Sequence, residues 1–316
     1  MAEDTKSLDI SEQRWGSDYI ADLLRSYDHD IVSFNPGASF RGIEESIVNY
    51  SGNDPEVITA PNESLAVSIA HGYAKATGEP GLCLLHNVVG TMNAAMSIYN
   101  AFIDRVPIVM LSGTGPMRKS RRRPWIDWIH TANVQGNIVR EYTKWDDQPA
   151  HIDGVGDSIA RAHEIAETRP KGPTYVTIDS SLQEGELEEP IQPPTPGDYP
   201  TPTRMAPDPE AIDEAANMLV QADMPVVVTD QVGDTRAAVE ALIALAELLG
   251  APVMDIRWQR FNFPNTHPMC LSESEVYREA DVILGLDVWD INWLTRTGSN
   301  AVGEGIDEDV TFIDIG

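Results

Sequence analysis

The sequence predicts an α/β protein made of two doubly wound parallel-sheet domains joined by a proline-rich linker. Three observations predict this fold class. Short apolar runs alternate with amphipathic helical patterns over the first 180 residues, prolines then crowd into one segment, and a second alternating set follows. Strands that alternate with helices are typical of a parallel sheet covered on both faces. The 316 residues are enough for two domains of ordinary size.

The first domain, residues 1–184, contains five apolar runs with the length of buried strands. These runs are Asp30–Pro36, Glu56–Pro61, Gly81–Asn87, Pro107–Gly113 and Pro173–Asp179. Between them, Ser64–Thr77 and Thr91–Phe102 have the apolar spacing of amphipathic helices.

Residues 185–207 form the predicted linker, because proline at high density prevents both helix and central strand. The prolines are Pro190, Pro193, Pro194, Pro196, Pro200, Pro202 and Pro207. Asp208-Pro209 then has the pattern of a helix start, with Asp as the N-cap and Pro at the first helical position.

The second domain, residues 208–316, repeats the strand and helix alternation. Its predicted elements are helices 209–222 and 235–249 and strands Pro225–Asp230, Ala251–Ile256, Ala280–Asp287 and Val310–Ile315. The sequence stops at Gly316, directly after an apolar strand pattern, so we expect this domain to be truncated.

The charge and the hydropathy of the sequence argue against some classes of binding partner. There are 50 acidic and 22 basic residues and a formal net charge of −28, a field that repels nucleic acid and anionic membranes. The N-terminus is acidic and polar, unlike a signal peptide, and no apolar run approaches the roughly 20 residues that span a bilayer. The two cysteines form no metal or disulfide pattern. We expect a cytoplasmic protein without nucleic-acid or membrane partners.

The common α/β motifs are missing. The sequence contains no GxGxxG, GxxxxGK[ST], GxSxG or HExxH segment, which argues against dinucleotide, P-loop, hydrolase and zinc-protease chemistry. Ligands of open α/β sheets nevertheless bind at the carboxyl ends of the strands, so the residues that follow the predicted strands are the candidates for a site.

Three segments that follow predicted strands carry a family resemblance. They are Phe34–Gly37, then Asn62–Ser64 with Ala70–Gly78, and then His86–Ala94 with Asp104–Pro107. In this order and spacing they resemble the pyrimidine-binding domain of thiamine-diphosphate-dependent enzymes of the acetolactate synthase, benzoylformate decarboxylase and pyruvate oxidase group. Residues 209–315 are similar to the central domain of that group, so the resemblance covers roughly residues 15 to 316.

The resemblance assigns roles to Glu63 and His86. In the family, a glutamate at the position of Glu63 hydrogen-bonds N1′ of the cofactor aminopyrimidine and thereby helps to form the reactive ylide. Glutamate is also common at helix N-termini for electrostatic reasons, which is the structural alternative for Glu63. A histidine at position 86 could shuttle protons to the substrate, or it could be a hydrogen-bonded structural residue.

Further cofactor-binding candidates are implied by the same match. Asn35, Pro36 and Gly37 would form the turn under the pyrimidine and the substrate, with Gly37 supplying a special backbone angle. Gly90 and Asn93 would begin the next helix, and for Asn93 we favour a role as helix cap over contact with the cofactor. Ala38 follows Gly37 where the decarboxylase branch often has serine, and Ser39 comes one position later.

The resemblance implies thiamine diphosphate as the cofactor and a 2-oxo acid as the substrate, with cleavage or formation of a C–C bond. The diphosphate and Mg²⁺ would be bound by a third domain with a GDG…N motif, which does not occur in this sequence. We therefore expect no metal ligands here and no activity from this chain alone. A second copy in a homodimer or tetramer, or a separate diphosphate-domain chain, would complete the site. FAD binds some relatives, but Asp230–Gly233 shows no flavin signature. The alternative is a non-catalytic homologue that serves as an assembly or regulatory subunit.

A basic run stands out in this acidic chain, and it consists of Arg118, Lys119, Arg121, Arg122 and Arg123. It could attract an anionic substrate, or it could pair with the acidic surface of a partner subunit. Trp125, Trp128 and His130 follow it and could line an access channel.

The net charge of −28 suggests adaptation to high salt, because added ions screen the repulsion between carboxylates. We predict that the melting temperature of the protein rises as KCl is increased. Differential scanning calorimetry across a KCl series measures this, and a melting temperature that is flat or falls with salt would contradict it.

Overall fold

The computed structural model describes residues 8–203, 206–256, 261–271, 279–290 and 310–316. The chain divides into two compact units, Met1–Thr203 and Arg204–Gly316. Both consist of a parallel sheet with helices, which confirms the predicted fold class.

The first unit contains six strands and seven α-helices among the described residues. The strands are β1 (Ile31–Phe34), β2 (Glu56–Thr59), β3 (Gly81–Leu85), β4 (Ile108–Thr114), β5 (Trp145–Asp147) and β6 (Thr174–Asp179). The helices are α1 (Gly16–Ser26), α2 (Arg41–Glu45), α3 (Glu63–Thr77), α4 (Val88–Ile103), α5 (Ile126–His130), α6 (Ile152–Glu167) and α7 (Ser180–Gln183).

The six strands of the first unit lie in the order β2-β1-β3-β4-β6-β5, and every pairing is parallel. The chain passes from β1 to β2 on one side and then crosses to β3 on the other side of β1. The carboxyl ends of β1 and β3 therefore flank the point where the direction of winding reverses, which is the usual ligand crevice of an open α/β sheet.

Each face of this sheet has its own apolar core. One core packs α1 and α6 on the sheet, with Leu23, Leu84 and Ile159 among its fully buried members. The other packs α3 and α4, with Val67, Cys83 and Ile98 fully buried. Because helices cover both faces of the sheet, the side chains on both faces of β3 and β4 are buried. The sequences of these strands are therefore continuous apolar runs and do not alternate between apolar and polar residues.

The second unit has a four-stranded parallel sheet in the order β10-β9-β7-β8. Its strands are β7 (Pro225–Thr229), β8 (Val253–Asp255), β9 (Val282–Leu286) and β10 (Thr311–Ile315), and its described helices are α8 (Pro209–Gln221) and α9 (Arg236–Leu249). Asp208 caps α8 as predicted, because its side chain accepts a hydrogen bond from the Glu210 amide at 3.0 Å. Among the described helices, none is both long and apolar enough to cross a bilayer.

The proline-rich segment is hydrogen-bonded to the first unit at two described positions. The Ile191 amide donates to Gln13 Oε1 at 2.8 Å, and the Tyr199 hydroxyl donates to Asp157 at 2.8 Å. These contacts are consistent with the division of the chain after Thr203. Helices α1 and α6 and strand β5 were not predicted from the sequence.

A buried histidine pair lies at the amino-terminal edge of the first sheet, opposite the crevice. His29, just before β1, and His163 of α6 approach to 2.7 Å between their Nε2 atoms, and the His163 ring stacks on Tyr27. Burial lowers the pKa of His29 to about 4 and that of His163 to about 3. Both imidazoles are therefore neutral in the folded protein near pH 7.

This pair makes stability depend on pH. The unfolded chain takes up protons near the ordinary histidine pKa of 6.5, whereas the folded chain resists protonation down to about pH 4. We predict that the free energy of unfolding falls as pH drops from about 6.5 to 4, by up to about 1.4 kcal/mol per pH unit for each histidine. Urea denaturation at several pH values measures the slope.

The matched variants for this test are His163→Gln and His151→Gln. His163→Gln should flatten the slope between pH 6.5 and 4, whatever it does to stability at pH 7. His151 is exposed, so its replacement should leave the slope as in the parent protein. Equal slopes in all three proteins would contradict the assignment.

Candidate active site

The candidate site lies at the crevice between the carboxyl ends of β1 and β3. The turn after β1 contains Asn35, Pro36 and Gly37, and His86 follows β3 directly. Helix α3 begins at Glu63 shortly after β2, and α4 begins just beyond His86. The structure brings Gly37, Glu63, His86 and Gly90 into one cluster.

Glu63 is held at the first position of α3. Asn62 caps the helix by accepting a hydrogen bond from the Leu65 amide at 2.9 Å. The Glu63 side chain is therefore not the cap of this helix. The Glu63 residue is only 7% exposed. Within the described part of the chain, no side chain or amide donates a hydrogen bond to its carboxylate. Such a carboxylate is suited to accept a hydrogen bond from a ligand.

Gly90 makes the space that Glu63 occupies. A Cβ atom at position 90 would lie 2.7 Å from Glu63 Oε1 and 2.7 Å from His86 Cβ, both closer than atoms can approach without displacement. Gly90 lies in the first turn of α4, as expected for a residue at the start of that helix. Its value to the site is therefore the absence of a side chain.

Gly37 has a different function from the predicted one. Its φ angle is not positive, so the expectation of a special backbone angle is wrong. Instead, a Cβ at position 37 would lie 2.9 Å from His86 Cγ, so glycine is required because the turn packs directly against the imidazole ring. Asn35 is half-buried and Pro36 is exposed, and the structure shows no hydrogen bond from the Asn35 side chain to a described residue.

His86 has a hydrogen-bonded and partly buried ring. Its Nδ1 atom lies 2.8 Å from Ser39 Oγ, and His130 of α5 stands edge-on to it at 6.0 Å between ring centroids. Burial lowers the pKa of His86. The Glu63 carboxylate acts in the opposite direction and raises this pKa, whereas His130 and Arg123 lower it further. The net shift is downward, so the ring is neutral at pH 7 and able to donate or accept a proton.

Asn93 does not cap its own helix, which corrects the expectation drawn from the sequence. Helix α4 begins at Val88, so Asn93 lies in its second turn. The Asn93 side chain instead accepts a hydrogen bond from the Ser64 amide at 3.2 Å. It therefore caps the first turn of the neighbouring helix α3 and supports the position of Glu63, because helix N-termini leave such amides without an intrahelical partner.

Two of the five residues of the basic run, Arg122 and Arg123, form contacts within their own loop. Arg123 forms an ion pair with the buried Asp127 at 2.8 Å, and the hydrogen bonds from Arg123 lower the pKa of Asp127 despite its burial. Arg122 donates to the Pro116 carbonyl at 2.7 Å, and its guanidinium lies over the Trp128 ring. The other three basic side chains, Arg118, Lys119 and Arg121, are exposed.

A buried polar network beneath His86 was not predicted from the sequence. Thr91 and Tyr175 lie 2.7 Å apart, and the Gln135 amide donates to both Tyr175 and Ser112 at 2.8 Å. The Ser112 hydroxyl lies within hydrogen-bond distance of the Leu85 and His86 carbonyls, at 3.2 and 3.3 Å. Four polar residues distant in sequence meet here, and no local pattern indicates such a cluster. The network fixes the backbone that carries His86.

The loop Asp230–Gly233 after β7, which was considered for flavin, is tied into its own unit. Asn262 donates to the Asp230 carbonyl at 2.8 Å and accepts from the Gly233 amide at 2.9 Å. Among the described residues, no group of three histidine, cysteine or acidic side chains is placed to hold a metal ion.

The residues of the cluster fit the pyrimidine half of thiamine diphosphate. The carboxylate of Glu63 lacks a donor within the described chain, and two glycines keep the adjoining space open. An aminopyrimidine presents a ring nitrogen, which donates to such a carboxylate when the nitrogen is protonated, and an amino group that donates to neighbouring acceptors. The fold and this cluster together define a parallel-sheet α/β protein with a buried carboxylate at the switch point of its first sheet.

Comparison with known proteins identifies the family. The family model "Thiamine pyrophosphate enzyme, N-terminal TPP binding domain" matches residues 14–138, and "Thiamine pyrophosphate enzyme, central domain" matches residues 212–315. The chain belongs to the thiamine pyrophosphate enzyme family.

Individual relatives agree with this assignment. The chain is 27% identical over 261 residues to the acetolactate synthase large subunit of Corynebacterium glutamicum, covering 82% of this chain and 40% of that protein. It is 25% identical over 261 residues to a probable acetolactate synthase large subunit of Methanocaldococcus jannaschii, covering 81% of this chain and 42% of that protein. The crystal structure of benzoylformate decarboxylase from Polynucleobacter necessarius has the same fold, with a TM-score of 0.78 at 22% identity over 96% of this chain and 55% of that one. The chain thus spans between two-fifths and just over half of the length of these proteins.

The glycine at position 90 offers a test of the packing around Glu63. We predict that Gly90→Ala lowers the free energy of unfolding by about 1–3 kcal/mol, because the new methyl group overpacks the cluster. Gly72→Ala is the control, because Gly72 lies within α3 and a Cβ there meets no atom within 4 Å. It should raise stability by about 0.5–1 kcal/mol through helix propensity. Urea denaturation of residues 1–316 measures both; equal effects would show that the cluster is not tightly packed.

Proposed function

We propose that this chain supplies the pyrimidine-binding half of the active site in a thiamine-diphosphate-dependent enzyme that forms or cleaves a C–C bond of a 2-oxo acid. The observation that carries the proposal is Glu63, a buried carboxylate with no donor in the described chain, held at the switch point of the sheet beside a neutral imidazole. The bound cofactor would supply a stabilised carbanion next to the substrate carbonyl.

Each residue of the cluster has a task in this proposal. Glu63 accepts a hydrogen bond from the protonated ring nitrogen of the aminopyrimidine, and its burial keeps water from competing for that bond. His86 exchanges a proton with the oxygen or carbon atoms of the substrate. Gly37 and Gly90 keep the pocket clear of side chains, and Asn93 holds the helix terminus that carries Glu63.

The diphosphate and Mg²⁺ would be bound by residues outside the described part of these two units. Within the described residues no metal-binding group is present. The exposed face of α4 supports the arrival of another polypeptide beside the cluster, because Val89, Met92, Met96 and Tyr99 are 43–63% exposed at helical spacing. A contiguous apolar stripe of this kind is typical of a protein interface. We propose that the polypeptide bearing the diphosphate-binding part covers this face.

Replacement of Glu63 tests the proposal. We predict that Glu63→Gln, which preserves shape and removes the charge, lowers kcat by about 10²–10⁴-fold in the enzyme assembled with its diphosphate-binding part. Glu56→Gln is the matched control, because Glu56 is an exposed carboxylate at the start of β2 and should leave kcat unchanged. Steady-state kinetics with a 2-oxo acid, together with calorimetric titration of thiamine diphosphate, provides the measurement. Full activity of Glu63→Gln would remove Glu63 from the mechanism.

A further inference from the structure

Ser39 is fixed in place from several sides next to His86. It is 3% exposed, and its carbonyl accepts a hydrogen bond from Gln183 Nε2 at 3.0 Å. A Cβ on Gly113 of β4 would lie 2.1 Å from the Ser39 carbonyl oxygen and 2.7 Å from its Oγ atom. The serine therefore packs directly against the backbone of β4, and its hydroxyl has little freedom to move.

The hydrogen-bond partners of Ser39 determine the direction of its hydroxyl proton. The Asn87 amide lies 3.1 Å from Ser39 Oγ, and since an amide can only donate, Oγ accepts this bond. The hydroxyl has a single proton to give. Within the described residues, His86 Nδ1 at 2.8 Å is the one acceptor in hydrogen-bond reach of Oγ. Ser39 therefore donates to Nδ1.

The direction of this bond sets the tautomer of His86. A neutral imidazole that accepts at Nδ1 carries its proton on Nε2. No described residue forms a hydrogen bond with His86 Nε2, so that proton is available to a ligand. We propose that Ser39 is a positioning residue that holds neutral His86 in the Nε2-protonated form, ready to donate to the substrate. This inference rests on the proposed function for its catalytic consequence, but the tautomer itself does not.

The other groups that face the ring do not impose the same constraint. Glu63 of α3 acts on His86 through its charge, as do Arg123, which precedes α5, and His130 of α5, and His130 meets the ring edge-on. In the structure none of the three forms a hydrogen bond with either ring nitrogen of His86 within the described residues. Ser39 alone among the described residues bonds to the ring, so its removal should change the ring while the surrounding charges stay in place.

The tautomer can be read directly from the ¹⁵N chemical shifts of the His86 ring in residues 1–316, assigned with a His86→Gln variant. The proposal requires an Nε2–H, Nδ1-acceptor pattern in the parent protein above the pKa of His86. An Nδ1–H pattern in the parent protein would overturn it, with no need for a Ser39 variant to fold.

Ser39→Ala supplies the second arm of the test. The lost hydrogen bond favoured the neutral ring, so the pKa of His86 followed by NMR should rise by about 0.5 to 1. Ser33→Ala is the matched control, because Ser33 is an equally buried hydroxyl on β1 that donates to the Ala66 carbonyl at 2.7 Å and does not contact His86. It should leave the His86 pKa unchanged. An unchanged pKa in Ser39→Ala, or equal shifts in both variants, would contradict the proposal.

Kinetics of the assembled enzyme separate this inference from the proposed function. Ser39→Ala should lower kcat at least about tenfold with a smaller effect on KM and move the acid limb of the pH profile upward, whereas Ser33→Ala should keep the parent profile. If Glu63→Gln abolishes turnover but Ser39→Ala leaves kcat and the profile unchanged, the positioning role is wrong and the proposed function stands. If Glu63→Gln is fully active, the proposed function itself fails.

Discussion

The candidate site depends on the close packing of glycines against functional side chains. Gly37 lies against the His86 ring and Gly90 lies against the Glu63 carboxylate, and at both positions a methyl group would come within 3 Å of its neighbour. Because the glycines have no side chain, the turn after β1 can pack against His86 and the start of α4 can pack against Glu63, at the carboxyl ends of the parallel strands. Protein interiors are close-packed, so a side chain added at either glycine would displace the functional group beside it. The position of each functional group therefore depends on the absence of a side chain at the neighbouring glycine.

Electrostatic balance in the site follows from this packing. Burial disfavours the charged form of His86, and the nearby Glu63 carboxylate limits the shift without reversing it. The buried Asp127 forms an ion pair with Arg123 within the same loop. The positive charge of the basic run is therefore partly neutralised within the chain itself. The result is a neutral imidazole beside an acceptor carboxylate, in a chain whose overall field is strongly negative.

The elements that the sequence predicted are those with a strong local signal. Strands β3 and β4 are buried on both faces and therefore appear as unbroken apolar runs, and the Asp-Pro pair marked the start of α8 because capping is a local interaction. Strand β5, Trp145–Asp147, carried no such signal, because it is a short edge strand with two aspartates and only partial burial. Gly37 was expected to supply a special backbone angle, but its close contact with His86, which follows β3, cannot be recognised in the local sequence.

The sequence by itself determined the fold class, the family and the identity of the acidic residue at the head of α3, because apolar periodicity, glycine turns and motif order are properties of neighbours along the chain. Tertiary structure alone decided which side chains meet. Ser39 and His86 are 47 positions apart, and Thr91 and Tyr175 are 84 apart, yet each pair shares a short hydrogen bond. The crossover from β2 to β3 creates the first of these contacts, because it places the carboxyl ends of β1 and β3 side by side.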